Sequence, residues 1–200
     1  SHILMAANGT GPCGLAHYGK GERPAAAQDF LTAIEKSQRN DLRGKAYGIL
    51  ADMAFDGERW EQALDYFHKP LTFDPEGKAP PIDYFRIGAT LQALGLWDKA
   101  RPFFDVTIAL HPDALLLQRA VQRRGATAFA LQFGAFREGP KAAELVAQLK
   151  SAGLLSAIVT DMRENQLLFL VRNGSYHTYE EADFARQQLL SKYPLVIVVP

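Results

Sequence analysis

Residues 84–112 read YFRIGATLQALGLWDKARPFFDVTIALHP, and the spacing of a few of them decides how the front of the chain folds. Tyr84, Ile87, Gly88 and Leu91 recur at helical intervals; Gly95-Leu96-Trp97 then breaks the pattern; Ala100 and Phe104 resume it, and Pro112 stops it. The stretch predicts a helical hairpin. Gly88 and Ala100 are small where two backbones must approach, and Tyr84 and Phe104 are large enough to fill the space between hairpins.

The same spacing returns upstream. Ala63, Phe67 and Pro75 stand 37 residues before Ala100, Phe104 and Pro112, and Ala26 and Phe30 stand another 37 before those. Tyr47, Leu50 and Ala51 take the first-helix places of the middle unit, and Cys13-Gly14 take them in the first. This is similar to the tetratricopeptide repeat, whose usual period is about 34 residues, with the surplus placed in loops such as Glu76–Pro81. One hairpin cannot bury its apolar face alone, so the units stack. Ala114–Arg124, with Leu115, Leu116, Leu117 and Val121 against Arg119, Arg123 and Arg124, predicts a closing helix.

After Gly125 the period changes. Phe129, Leu131 and Phe133 alternate with Ala128, Ala130 and Gln132, which predicts a strand. A helix follows over 140–151 with Ala143, Val146, Ala147 and Leu149 inward, then strands over 154–161 and 166–172. A second helix over 179–191 buries Ala182, Ala185, Leu189 and Leu190, and a final, buried strand covers 195–199. The order is βαββαβ, an open sheet with both helices on one face.

Here a second resemblance becomes specific. Phe129-Ala130-Leu131-Gln132-Phe133-Gly134-Ala135-Phe136, followed by Lys141-Ala142-Ala143-Glu144-Leu145, resembles the opening of a SPOR domain. Leu168 to Tyr176 and then Glu180-Glu181-Ala182 resemble its second half. The resemblance implies binding of peptidoglycan, specifically glycan strands stripped of peptide, on the sheet face opposite the helices. Gln132 and Ala135 match family positions on the first strand, and Leu168, Leu170 and Arg172 share a face by alternation. Leu168 and Leu170 stand where the family often has an aromatic and an arginine. Arg172 still offers a planar donor fork for sugar hydroxyl, acetamido or lactyl groups.

The expected architecture is therefore multidomain: a terminal tag or disordered segment over 1–12, an all-α repeat array over 13–124, and an α+β SPOR domain over 125–200. In the array, Lys45, Asp52 and Asp56 from one repeat, with Phe85 and Gln92 from the next, are expected to line a groove for a protein partner. The implied setting is a bacterial envelope, with the division septum as one destination and any export signal or anchor outside this chain. The rival reading is a scaffold whose SPOR-like domain binds protein rather than glycan.

Composition narrows the other classes. Lys+Arg 22 balance Asp+Glu 22, and 48% of residues are apolar, which is incompatible with intrinsic disorder and gives nucleic acid no basic surplus to bind. The same βαββαβ order occurs in RNA-recognition domains, but alternation turns Phe129, Phe133 and Phe169 to the helix side, away from any base. No apolar run is long enough for a membrane span. Cys13 is the single cysteine, and the five histidines form no ligand pair at one helical turn. With no nucleophile motif either, the expectation is a binding protein without catalytic, metal or cofactor site.

Overall fold

The computed structural model describes residues 23–73, 79–163 and 166–200. The expected terminal segment 1–12, Cys13-Gly14 and Pro75 lie outside the described residues. The chain divides into two compact units. Described residues up to Leu91, with Lys99–Ala120, form the first; Gln92–Asp98 and Val121–Pro200 form the second.

The helices run α1 Arg23–Lys36, α2 Asn40–Asp56, α3 Trp60–Phe73, α4 Pro81–Ala93, α5 Trp97–Ala109 and α6 Ala114–Gly125. In the first unit α2 turns into α3 through Gly57–Arg59, where the Gly57 and Arg59 amides donate to the Met53 and Ala54 carbonyls and satisfy the end of α2. The 37-residue register is visible in the packing. Ala26, Ala63 and Ala100 are all fully buried, and so, within a few per cent, are Phe30, Phe67 and Phe104. Each phenylalanine withdrawn from water contributes roughly 1.5–3 kcal/mol. One core joins Ala26 and Phe30 to Ala46, Leu50 and Met53; the next joins Ala63 and Phe67 to Phe85, Ala100, Phe104 and Ala120. Stacking of neighbours, not any single hairpin, thus makes the interior.

In α4, Ile87, Gly88 and Leu91 are buried as expected, but the aromatic that joins them in the core is Phe85 rather than Tyr84. A Cβ on Gly88 would lie 2.9 Å from the Phe104 ring, and Phe85 meets the same ring edge-on at a centroid distance of 5.7 Å. Phe85, Gly88 and Ala89 stand at i, i+3 and i+4, so one helix face carries all three. Phe85 is therefore core rather than groove, and the half-buried Tyr84 lies beside that face.

The second unit holds β1 Phe129–Phe136, α7 Gly139–Ser151, β2 Ser156–Arg163, β3 Gln166–Tyr176, α8 Tyr179–Leu189 and β4 Ile197–Val199. They form an antiparallel sheet ordered β2-β3-β1-β4. α7 begins with Pro at its first turn, where a missing amide hydrogen costs nothing. α8 begins with a reciprocal capping box between Thr178 and Glu181. The inward face of α7 is Ala142, Leu145, Val146 and Leu149, packed with Phe133, Phe136, Phe169 and Val171. Val146 and Leu149 are inward as expected, whereas Ala143 and Ala147 are exposed and Ala142 and Leu145 take their places on the inward face. β4 is short: Leu195 is 84% and Ile197 50% exposed, so the final apolar run is not a buried strand.

The segment Gln92–Asp98 is part of this second unit. Gly95 takes φ +77°, which glycine tolerates without strain, and Trp97 donates from Nε1 to the His177 carbonyl at 2.8 Å. The Trp97 ring lies 4.9 Å from that of Phe129, which in turn meets Tyr179 edge-on.

Candidate binding face of the sheet

Strict alternation along β1 would put Gln132 and Ala135, three residues apart, on opposite faces. A register shift between Gln132 and Gly134 resolves this. Gln132 stands opposite Arg172, whereas Gly134 stands opposite Val171 and Ala135 opposite Leu170. The extra residue, Phe133, is a bulge of the kind that re-aims side chains. It lets Phe133 and Phe136 both pack towards α7, while Gln132 and Ala135 share the other face.

Pairing with the flanking strands completes that face. Ala157, Val159 and Asp161 of β2 stand opposite Arg172, Leu170 and Leu168, and Ile197 of β4 stands opposite Gln132. All five residues singled out from sequence, Gln132, Ala135, Leu168, Leu170 and Arg172, therefore lie on one face. Val159, Asp161 and Ile197 were not singled out. Inter-strand register determines their place, and a single strand's pattern does not encode it.

The face is less open than expected. Ala135 is exposed, and Leu168 and Arg172 are half-buried. Leu170 is only 1% and Gln132 9% exposed. Arg172 donates from Nη1 to the Pro200 carbonyl at 3.3 Å. The Gln132 Oε1 is buried with no hydrogen-bond partner among the described residues. A buried amide acceptor left unpaired costs about 1–3 kcal/mol, so this atom is primed to accept from an incoming N–H or O–H group. The face combines that acceptor, a guanidinium donor and an apolar strip, chemistry suited to a neutral sugar with amide and hydroxyl groups.

The expected groove of the first unit is only partly assembled. Lys45 and Asp56 are exposed on α2, and Asp52 is paired with Arg86 Nη1 at 2.7 Å. Phe85 is in the core, and Gln92 is buried in the second unit, donating from Nε2 to the Arg123 carbonyl at 2.7 Å. Neither lines a groove. Asp83 and Arg86, three apart on α4, take their place beside Asp52. Burial pushes the Asp52 carboxyl up; Arg86 opposes this and Asp56 adds to it. Asp83 is also raised, first by burial and then by Asp52. The sequence does not single out Asp83 and Arg86, because one helix's pattern does not encode which of its charged residues meets a neighbouring helix.

Among the described residues, no group of three or more His, Cys, Asp or Glu is placed to hold a metal ion. No helix there is long and apolar enough to cross a membrane.

A family model described as SPOR domain matches residues 125–200. The N-terminal domain of stress-induced protein-1 (STI-1) from C. elegans is similar in structure, with 18% identity and a TM-score of 0.49, over 62% of this chain and 98% of that one. The Arabidopsis OM64 TPR domain is similar at 20% identity and a TM-score of 0.49, over 60% of this chain and 95% of that one. No curated protein matches the chain.

Proposed function

We propose that this chain, whose residues 125–200 are a SPOR domain behind a tetratricopeptide-like helical array, is a non-catalytic envelope protein that binds peptide-free peptidoglycan glycan through the sheet face of Gln132 and Arg172. The observation that carries the reading is the buried Gln132 Oε1, without a hydrogen-bond partner among the described residues, on the residue directly across the ladder from Arg172. An N-acetylated sugar brings both complements: an amide N–H for the glutamine oxygen, and carbonyl or hydroxyl oxygens for the arginine. Leu168 and Leu170 supply apolar area in place of a stacking aromatic, which lowers affinity without removing the polar anchors.

The ligand lies outside the cytoplasm, so the domain works on the envelope side, with division-septum glycan one destination. The helical array contributes a protein-binding surface at Lys45, Asp52, Asp56, Asp83 and Arg86. Pelleting the full chain with purified, peptide-free glycan strands tests the reading. Retention in the pellet, lost on replacing both Gln132 and Arg172 by Ala in a folded double variant, is the expected result. Absence of retention favours the rival, a scaffold whose SPOR domain binds protein.

A further inference from the structure

Leu170 poses a question that the sheet alone does not answer. It lies on the face opposite α7 and α8, and two of its cross-strand neighbours there are Ala135, a single methyl, and Val159, itself 42% exposed. Neighbours of that size leave a leucine open from above, yet Leu170 is 1% exposed and Gln132 9%. Something in the chain lies over them. One side chain reaching this face from outside the sheet is Gln122, which donates from Nε2 to Asp161 Oδ2 at 3.1 Å. Asp161 is on the same face, opposite Leu168. Gln122 sits in the last turn of α6, and only Ala126-Thr127-Ala128 separate that helix from Phe129, where β1 begins. The chain must therefore travel from the Asp161 end of the face to the start of β1 within a few residues.

We infer that Val121–Ala128 is a cover over the binding face, latched by the Gln122–Asp161 hydrogen bond, and that it competes with glycan for that face. The inference rests on the glycan reading only for the identity of the competitor. The closed state is poised to open for two reasons. The Gln122–Asp161 hydrogen bond of the latch is solvent-exposed, and closure leaves the Gln132 acceptor buried without a partner among the described residues. Lifting the cover hydrates that oxygen or presents it to ligand.

The test separates the cover from the ligand. In a Cys13→Ser background, Leu170→Cys places a single thiol under the cover, and its rate of alkylation by a maleimide reports opening without any glycan. Gln122→Ala, which removes the latch donor, and Gln122→Glu, which sets two carboxylates against each other, should each raise that rate about threefold or more. Melting curves confirm that each protein is folded. On the native Leu170 background the same two latch variants should retain more peptide-free glycan at a given concentration. An unchanged alkylation rate in both overturns the cover, whatever the glycan result. Faster alkylation with no glycan binding by parent or variant supports the cover and overturns the glycan assignment instead. Faster alkylation with glycan retention equal to the parent's overturns the competition.

Discussion

Gln132 and Arg172 are direct partners across the β1–β3 ladder, yet the glutamine oxygen makes no hydrogen bond among the described residues. A glutamine retained there for folding alone would be a poor choice, since an apolar residue of similar size fills the position without an orphaned acceptor. Binding and stability should therefore pull in opposite directions at this site.

Gln132→Met is expected to stabilise the protein by about 1 kcal/mol, the gain from removing an unsatisfied buried group. The same variant should lose glycan retention. Thermal melting and pelleting on one preparation read both quantities. A destabilised Gln132→Met protein would mean that the oxygen has a partner in solution, and the argument for a waiting acceptor would fail.

The Gly88–Phe104 contact makes a second prediction. The ring already lies 2.9 Å from where a Cβ would stand, so Gly88→Leu must push α4 and α5 apart at a cost of roughly 1–3 kcal/mol or more. Ala100→Leu, at a fully buried position of α5, should cost a similar amount. Denaturant midpoints check both. Parental midpoints for the two variants would show that this hairpin is looser than its geometry.

Much of this architecture was legible in the sequence, and the failures share a cause. Ala26, Ala63 and Ala100 could be found because a stacked repeat demands the same small residue at the same contact each time. Within α4 and α7, Ile87, Leu91, Val146 and Leu149 follow from periodicity, whereas Tyr84 beside Phe85 and Ala142 beside Ala143 are neighbours of like character between which periodicity alone cannot choose. On the sheet, Gln132 and Ala135 were found by resemblance, whereas Ile197, Val159 and Asp161 required register. The burial of Leu170 was beyond any strand pattern, since what covers a face is a tertiary fact.

The start of α8 offers a local check. The Thr178 hydroxyl accepts from the Glu181 amide, and the Glu181 carboxylate accepts from the Thr178 amide, each at 3.2 Å. Thr178→Ala is expected to cost about 1 kcal/mol, within the range of 0.5–2 for lost N-caps. Thr178→Ser should retain most of it. Equal melting of all three proteins would show that tertiary packing alone holds the first turn.

Acid titration should reveal Asp83. Burial and the neighbouring Asp52 raise its folded-state pKa above the ordinary aspartate value that it has when unfolded. The native state then holds the proton more tightly, and stability falls as pH rises from that ordinary value through the raised one. Asp83→Asn removes the penalty, so its melting temperature should exceed the parent's at pH 7, with the advantage shrinking as pH falls below the usual aspartate range. A constant difference across that range would show that the carboxyl does not titrate abnormally.

The proposed partner surface of the helical array is best probed at Asp56. Reversing Asp52 as well would set a lysine against Arg86, 2.7 Å from the present carboxylate, and confuse lost binding with lost folding. Asp56 is exposed, and Asp56→Lys changes the local charge by two units while leaving the packing residues Phe85, Gly88 and Phe104 untouched. A surface carrying Asp52, Asp56 and Asp83 against Arg86 and Lys45 favours an extended peptide with a basic residue. The expected outcome is that a lysine- or arginine-bearing envelope peptide, selected on the parent from a peptide array, binds Asp56→Lys at least about threefold more weakly, an effect that salt diminishes because exposed charges are screened. The folded Gln132→Ala/Arg172→Ala variant should bind that peptide as the parent does. Equal binding by Asp56→Lys and the parent at low salt would mean that these carboxylates are a solvated helix face, leaving the array to space the SPOR domain.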